Sequence, residues 1–430
     1  MQGYKLFGTA TAAATGLGLL LGNAVAGSNN DAYVTQQGSY NQANIEQSGT
    51  GNQAGSPTLN IRQQRWQGTG SAGRYNSLTI LQSGNNNEVG LEANTNPGAA
   101  QNGISQYMPS NSTGSPNLNV IEISQTSDGN VVGAIYQDNA THRQGDNRIS
   151  ILQAGTGGHR VGSILQYRGN SSGTNFVAPT RVNVEQYGQG NTVERILQRT
   201  QVITPSAADE YANSISVRFE AGSSSNGKAA WTSGGAAAAS GALSSTLLQG
   251  AETGMSKAYG NKIEVNIGGG NNQFGVSQLV LNDEAIGNNA NIGISGQRNE
   301  LGVYQRGNGN TLVASITLDE NNYGVKQSGE YNSANLTVSG TGNGKPGFSG
   351  LAATVSLAPG LLVQTGLSND VSLTVTGDNN AFASLQSGNG NGITAGQNGN
   401  GNQAAVSQSG NANSATLTQN GNGNNAAIVQ

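Results

Sequence analysis

The chain has 430 residues, of which 66 are Gly, with 5% aromatic and 10% charged residues, no Cys and a formal net charge of -4. So little aromatic material excludes an ordinary globular core, the weak acidic balance excludes an electrostatic nucleic-acid face, and the missing Cys excludes disulfides and thiolate metal sites. A polar, low-complexity composition is shared with disordered chains, so only the phase of the residues argues for order.

The N-terminus reads as an export signal over 1–26. Lys5 supplies a positive start, Leu17 to Leu21 an apolar stretch, and Ala24-Val25-Ala26 a cleavage site. The stretch is too short and too interrupted by Gly to span a bilayer, and nothing later approaches a transmembrane helix. The expected destination is extracellular.

From Asn30 onward the chain keeps a ruler. Asn30, Asn41 and Asn52 stand eleven residues apart at the start of an irregular block over 27–220, where weaker copies such as Gln82-Gly84-Asn87-Val89 and Gln186-Gly188-Asn191-Val193 also occur. An Ala/Gly/Ser-rich insertion or linker is expected over 221–260. The ruler then runs through Asn288, Asn299, Asn310, Asn321, Asn332 and Asn343 in a regular block over 261–345. It is lost over 346–368 and returns over 369–430 as Asn369, Asn380, Asn391, Asn402, Asn413 and Asn424. In that last block Gly377, Gly388, Gly399, Gly410 and Gly421 hold one phase, and Gln386, Gln397, Gln408, Gln419 and Gln430 another. A fixed short period marks repeat architecture.

Within each unit, apolar residues or Gln fall two, four and six positions after Asn, as in Asn41, Ala43, Ile45, Gln47 and Asn413, Ala415, Leu417, Gln419. That is the period of a strand with one buried face, followed by a Gly/Asn/Ser turn. Asn30 leads in the same way to Ala32, Val34 and Gln36. Two units make a rung of about 22 residues. Stacked rungs give an all-β, two-sheet parallel β-solenoid of strand-turn-strand rungs with irregular insertions, because one rung cannot repay its backbone entropy alone. Pro57, Pro97, Pro109, Pro116, Pro179, Pro205, Pro346 and Pro359 all fall where the ruler is lost, as expected if ladder donors cannot be spared inside strands. The eight Arg between Arg143 and Arg218 are expected on outer or corner positions that slow uncontrolled pairing.

These residues resemble the curlin repeat of bacterial curli fibres, Q-x-G-x2-N-x-A-x3-Q. Gln397-Gly399-Asn402-Ala404-Gln408, Gln408-Gly410-Asn413-Ala415-Gln419, Gln419-Gly421-Asn424-Ala426-Gln430 and Gln36-Gly38-Asn41-Ala43-Gln47 fill the pattern. The resemblance implies a secreted amyloid subunit of a biofilm matrix. Its implied partners are further copies of itself, a related nucleator or fibre subunit, and an outer-membrane secretion pore. The expected working residues are the ladder residues just named, with Asn30 and Asn41 at the other end. The last block, with no Lys or Arg after Lys345, is expected to template another copy head to tail.

Two other classes compete with this reading. A β-helical hydrolase needs clustered carboxylates, yet Asp283-Glu284 and Asp319-Glu320 are adjacent pairs whose members point to opposite faces. His142 and His159, the only histidines, read as solvated loop residues, and no cofactor or metal is expected. The alternative is a monomeric solenoid adhesin whose insertion loops bind a ligand, with Trp66, Tyr107, Met108 and Trp231 in irregular segments as contact residues or corner fillers.

Overall fold

A computed structural model describes residues 6–10, 28–37, 41–65, 75–93, 103–108, 118–138, 147–168, 179–200, 212–227, 230–231, 235–251, 260–281 and 287–430. The chain divides into two compact units, Met1–Gly222 with Gln249–Gly260, and Ser223–Leu248 with Asn261–Gln430. Each is a parallel β-solenoid of two facing sheets. The segment 221–260 is therefore not a separate linker; its strand Thr246–Ala251 carries Gln249 into the glutamine ladder of the first unit.

In the first unit the front sheet stacks Asp31–Gln37, Ile61–Arg65, Ile104–Met108, Val131–Asp138, Arg160–Arg168 and Thr192–Thr200. The back sheet stacks Asn41–Gln47, Tyr75–Gln82, Leu118–Gln125, Asn147–Gln153, Thr180–Gln186 and Asn213–Phe219. In the second unit the front sheet runs from Gln273–Val280 through Glu300–Asn308, Asn322–Glu330, Leu361–Leu367, Ala381–Ser387 and Gln403–Ser409 to Asn425–Val429. Its back sheet runs from Lys262–Ile267 through Asn289–Ile294, Thr311–Thr317, Ser333–Ser339, Asp370–Thr376 and Gly392–Asn398 to Ser414–Asn420. Among the described residues these pairings are parallel and in register, so like residues stack on like.

Alternation does the sorting. Ile121, Ile123, Ile149, Ile151, Val182, Val184, Ile215 and Val217 line the back sheet of the first unit and are all buried. Leu336, Val338, Leu373 and Val375 do the same in the second, and Leu301 and Val303 line its front sheet. Each large inward side chain contributes roughly 1.5–3 kcal/mol on burial, and this is realised only when a neighbouring rung covers it.

The insertions are placed more narrowly than the sequence reading foresaw. The back-to-front corner is tight wherever the ladder is regular: five residues separate Gln47 from Asn52, Gln125 from Asn130 and Gln186 from Asn191. The front-to-back corner is the variable one. It takes five residues from Gln305 to Asn310 but 13 from Gln106 to Asn119 and 15 from Gln198 to Asn213. A second variable site is a seam inside the front strand, two residues after the ladder Asn, where the chain leaves after Ala54 and re-enters at Ile61, or leaves after Val89 and re-enters at Ile104. Gly55 and Gly90 make that exit with φ of 72° and 75°.

The stretch expected as an insertion over 346–368 ends earlier, because strand Leu361–Leu367 is in the front sheet and Gln364 stands on the ladder. The interval from Gln327 to Gln364 is 37 residues instead of 22, which shifts the eleven-residue phase and hides the strand. Tyr107 and Met108 are likewise strand residues, paired with Gln64 and Arg65. Of the expected export signal, Leu6–Ala10 lies among the described residues and pairs in parallel with Ala32–Gln36; the apolar stretch and cleavage site lie outside them, as do Trp66, His142 and Asp283-Glu284.

Candidate assembly surface

The inward amides form continuous ladders. On the front sheet of the second unit, Gln278 donates Nε2 to Gln305 Oε1, and the chain of bonds continues through Gln327, Gln364, Gln386 and Gln408 to Gln430 at 2.8–3.1 Å. The first unit has the same front ladder, Gln36 to Gln63, Gln106, Gln137, Gln166, Gln198 and Gln249. Its back ladder joins Gln47, Gln82, Gln125, Gln153 and Gln186. Phe219 ends that ladder, pairing in register with Gln186. In the second unit the back position is Ile294, Ile316, Val338 and Val375 until Gln397 restores it. Gln397 Nε2 reaches Gln419, but its buried Oε1 has no hydrogen-bond partner, because Val375 offers no donor.

The Asn ladders sit at the corners. Asn310 shows the unit: its N–H and Nδ2 both reach Asn288 Oδ1 at 3.0 Å, its Nδ2 reaches Gly329 O at 2.9 Å, and its Oδ1 accepts from Asn332. The series Asn288, Asn310, Asn332, Asn369, Asn391 and Asn413 runs down one corner. Asn272, Asn299, Asn321, Asn343, Asn380, Asn402 and Asn424 run down the other. In the first unit Asn30, Asn52, Asn87 and Asn130 form one corner, and Asn41, Asn76, Asn119 and Asn147 the other.

His159 continues the corner of Asn130, contrary to the solvated loop position expected for it. It is fully buried, its N–H donates to Asn130 Oδ1, its Nδ1 accepts the Asn191 N–H at 3.2 Å, and its Nε2 lies 2.7 Å from Ala154 O. The imidazole thus reproduces an Asn acceptor, a substitution the motif could not reveal. Thr180 replaces Asn in the same way on the other corner, its hydroxyl donating to Asn147 Oδ1.

The ladder glycines are required by close approach. Gly388 has φ of 120°, and a Cβ there would lie 1.9 Å from Gly410 O; at Gly399 it would lie 2.2 Å from Gly421 O. Gly410 and Gly421 share the conformation, but nothing lies within 3.7 Å of a Cβ at Gly410 or 3.9 Å of one at Gly421. They belong to the last rung, on which no further rung is stacked.

That last rung has a definite chemical sense. Along the solenoid each Gln donates Nε2 forward to the next rung, and each ladder Asn turns its Oδ1 forward to accept the next rung's N–H. Gln419 and Gln430 have spent one amide hydrogen on Gln403 O and Ser414 O, leaving the other to face forward with the Asn413 and Asn424 oxygens. The first rung is the complement: Gln36 and Gln47 supply the Oε1 position and Asn30 and Asn41 the ladder N–H. The expected site residues thus group at two chemically opposite edges plus an interior spine containing Asn380, Asn391, Gln386, Gln397 and Gly388.

Charges stay outside the ladders. Glu320 is held below the usual carboxylate range first by its hydrogen bond from Arg298 and then by Lys345, and its neighbour Asp319 accepts the Gln297 N–H. Arg160 is clamped in a two-pronged ion pair with Glu92 and also approaches Glu194. Among the described residues no group of three or more His, Cys, Asp or Glu is placed to hold a metal ion, and no helix is long and apolar enough to cross a membrane. No protein-family model matches the chain, and no curated protein does.

Proposed function

We propose that this chain is a structural, non-catalytic subunit that polymerises end to end into cross-β fibres outside the cell, in the manner of curli. Such fibres would serve adhesion and biofilm cohesion. The observation that carries the reading is the last rung: in-register strand edges, forward-facing Gln donors and Asn acceptors, and open space above Gly410 and Gly421. A second copy can extend this surface once removal of residues 1–26 takes away the strand Leu6–Ala10 that covers its Ala32–Gln36 edge, because its first rung then offers the matching residues in the matching phase. Placing Asn30 over Asn424 sets Ala32, Val34 and Gln36 over Ala426, Ile428 and Gln430, so the front sheet continues across the junction. Added rungs gain about 0.5–1.5 kcal/mol net per backbone hydrogen bond, and a contact that repeats without closing yields fibres.

The test is to dilute denatured residues 27–430 into buffer and follow thioflavin T, with fibre diffraction at the endpoint. Growth after a lag, with reflections near 4.7 Å and ~10 Å, is expected; a stable soluble monomer would overturn the reading. In that event the adhesin reading leads, supported by the return of long connections to the same corner, 13 positions from Gln106 to Asn119 and 15 from Gln198 to Asn213.

A further inference from the structure

The second unit carries two excursions from the front-strand seam, and they share one construction. The first follows Asn226 and contains the short helix Ala236–Ala239; the second leaves at Gly344, contains the short helix Gly350–Ala353, and re-enters at Gly360. Each runs forward over the outer side of the front sheet. The first covers a column of glycines: a Cβ at Gly275 would meet Leu243 O at 2.1 Å, one at Gly302 would meet Ala237 O at 2.1 Å, and one at Gly324 would meet Ala236 O at 2.0 Å. Trp231 lies over Gly275 and donates Nε1 to Ala242 O. The second covers a column of alanines. Alternation points Ala383 and Ala405 outward, yet both are fully buried.

Each strap then fastens to an Asn in the same way. Ala237 N–H donates to Asn322 Oδ1 at 2.9 Å, and Ala352 N–H donates to Asn425 Oδ1 at 2.8 Å. Gly235 and Gly350, two residues earlier, lie so close that a Cβ would meet the Asn side chain at 2.4 Å and 3.1 Å. Both targets follow directly on a ladder Asn, Asn321 or Asn424. Both also lie on the third rung after the one the strap leaves: Asn226 is followed on its corner by Asn272, Asn299 and Asn321, and Asn343 by Asn380, Asn402 and Asn424.

From this repetition we infer that the straps are forward clips, and that the second one holds the last rung in register as an ordered docking edge for a further copy of this chain. An interior rung is held from both sides by its neighbours, but the rung of Asn425–Val429 has a neighbour on one side only, which favours fraying. The clip substitutes for the missing side. Asn425 Nδ2 donates to Ser349 O at 2.7 Å, Ser349 N–H and Oγ donate to Gln403 Oε1, and Ala352 completes the ring. The short helix that packs against Asn425–Val429 carries Leu351, 60% exposed, and the strand itself carries Val429, 72% exposed. An ordered edge does not have to pay the ordering entropy at the moment of docking.

The docking role rests on the assembly reading above; the clip itself does not, and the experiment separates them. Ala352→Pro removes the donated N–H from the strap without touching the ladder, and Asn425→Ala removes that bond together with those from Asn425 Nδ2 to Ser349 O and Gln403 Oε1. In monomeric full-length chain, amide hydrogen exchange should quicken roughly tenfold to a hundredfold over Ser414–Val429 in both variants. The rungs before Asn380 should be unchanged. If Ala352→Pro frees the strap while the last rung keeps its wild-type protection, the clip is refuted. If the last rung loosens but seeded thioflavin T growth keeps its wild-type rate, the docking role is refuted while the assembly reading stands. A wild-type chain that never forms fibres refutes the assembly reading and the docking role together, with the exchange result still deciding the clip.

Discussion

Replacing Asn310 with Ala tests whether the corner amides hold the rungs together. The side chain makes four hydrogen bonds while fully buried, to Asn288 Oδ1, Gly329 O and the N–H and Nδ2 of Asn332. Two of those partners keep other bonds: Asn332 Nδ2 still reaches Gly366 O at 3.0 Å, and Asn288 Oδ1 still accepts the backbone N–H of residue 310. The Asn332 N–H and the Gly329 carbonyl lose theirs. An unsatisfied buried polar group costs about 1–3 kcal/mol, so the local penalty is about 2–6 kcal/mol. Stacked repeats unfold locally instead of in one transition, so the measurement is amide exchange at Thr311 and Ser333, beside the lesion. Protection there should fall by at least about 30-fold, a factor of ten corresponding to 1.4 kcal/mol. Asn389→Ala is the control: its Oδ1 accepts the Leu367 N–H at 3.0 Å on an exposed turn, where water can replace it, and less than about 1 kcal/mol is expected. Equal effects at the two sites, or no effect at Asn310, would refute the claim that buried corner amides carry the rung-to-rung bonding.

Three further outcomes follow from the same geometry. Gly388→Ala should destabilise the monomer through a Cβ driven against Gly410 O, whereas Gly410→Ala carries similar backbone strain without that clash and should cost less; equal loss of exchange protection in the two variants would count against close approach as the reason for the glycine. Tyr323→Phe should be neutral or stabilise by up to about 1–3 kcal/mol, because the Tyr323 hydroxyl is wholly buried without a partner and burial pushes its pKa up; a drop in thermal midpoint would reveal a bond the geometry lacks. His159→Ala should loosen exchange protection at Asn191, because it removes the Nδ1 that accepts the Asn191 N–H at 3.2 Å. His159→Asn supplies the amide oxygen found at this position in the other rungs and should keep that protection; equal loss in the two variants would refute the reading of the imidazole as an Asn substitute.

Much of this architecture was legible because register multiplies a small signal. One Gln or Asn at a fixed offset says little, but Gln386, Gln408 and Gln430 in one phase oblige each strand to present the same face to its neighbour, and the structure places their amides in contact. Legibility failed where chemistry was conserved without the letter. His159 and Thr180 occupy ladder positions through a ring nitrogen and a hydroxyl, so a search for Asn passes over them. It failed also where an excursion broke the count, as between Gln327 and Gln364. The seam itself left a trace in hindsight: Gly55, Gly90, Gly344 and Gly360 mark where the chain departs or returns with positive φ. Nothing in the sequence showed that the strap of residues 344–360 would reach Asn425, because that contact joins residues more than 70 positions apart.

The two corners of the solenoid have divided labour, and this decides what the chain can absorb. A turn of nearly constant length after the back sheet brings each Asn onto the last, and the single residue gained between Gln153 and His159 is taken up there without loss of register. The turn after the front sheet carries no such duty in the first unit, where stretches of quite different length return the chain to the same phase. Foreign sequence grafted at that turn, between Gln198 and Asn213 for example, would ride on the outside while the stacked amides continued beneath it. In an end-to-end polymer it would recur once per copy at a fixed interval, a regular array whose spacing is set by the number of rungs and not by the graft.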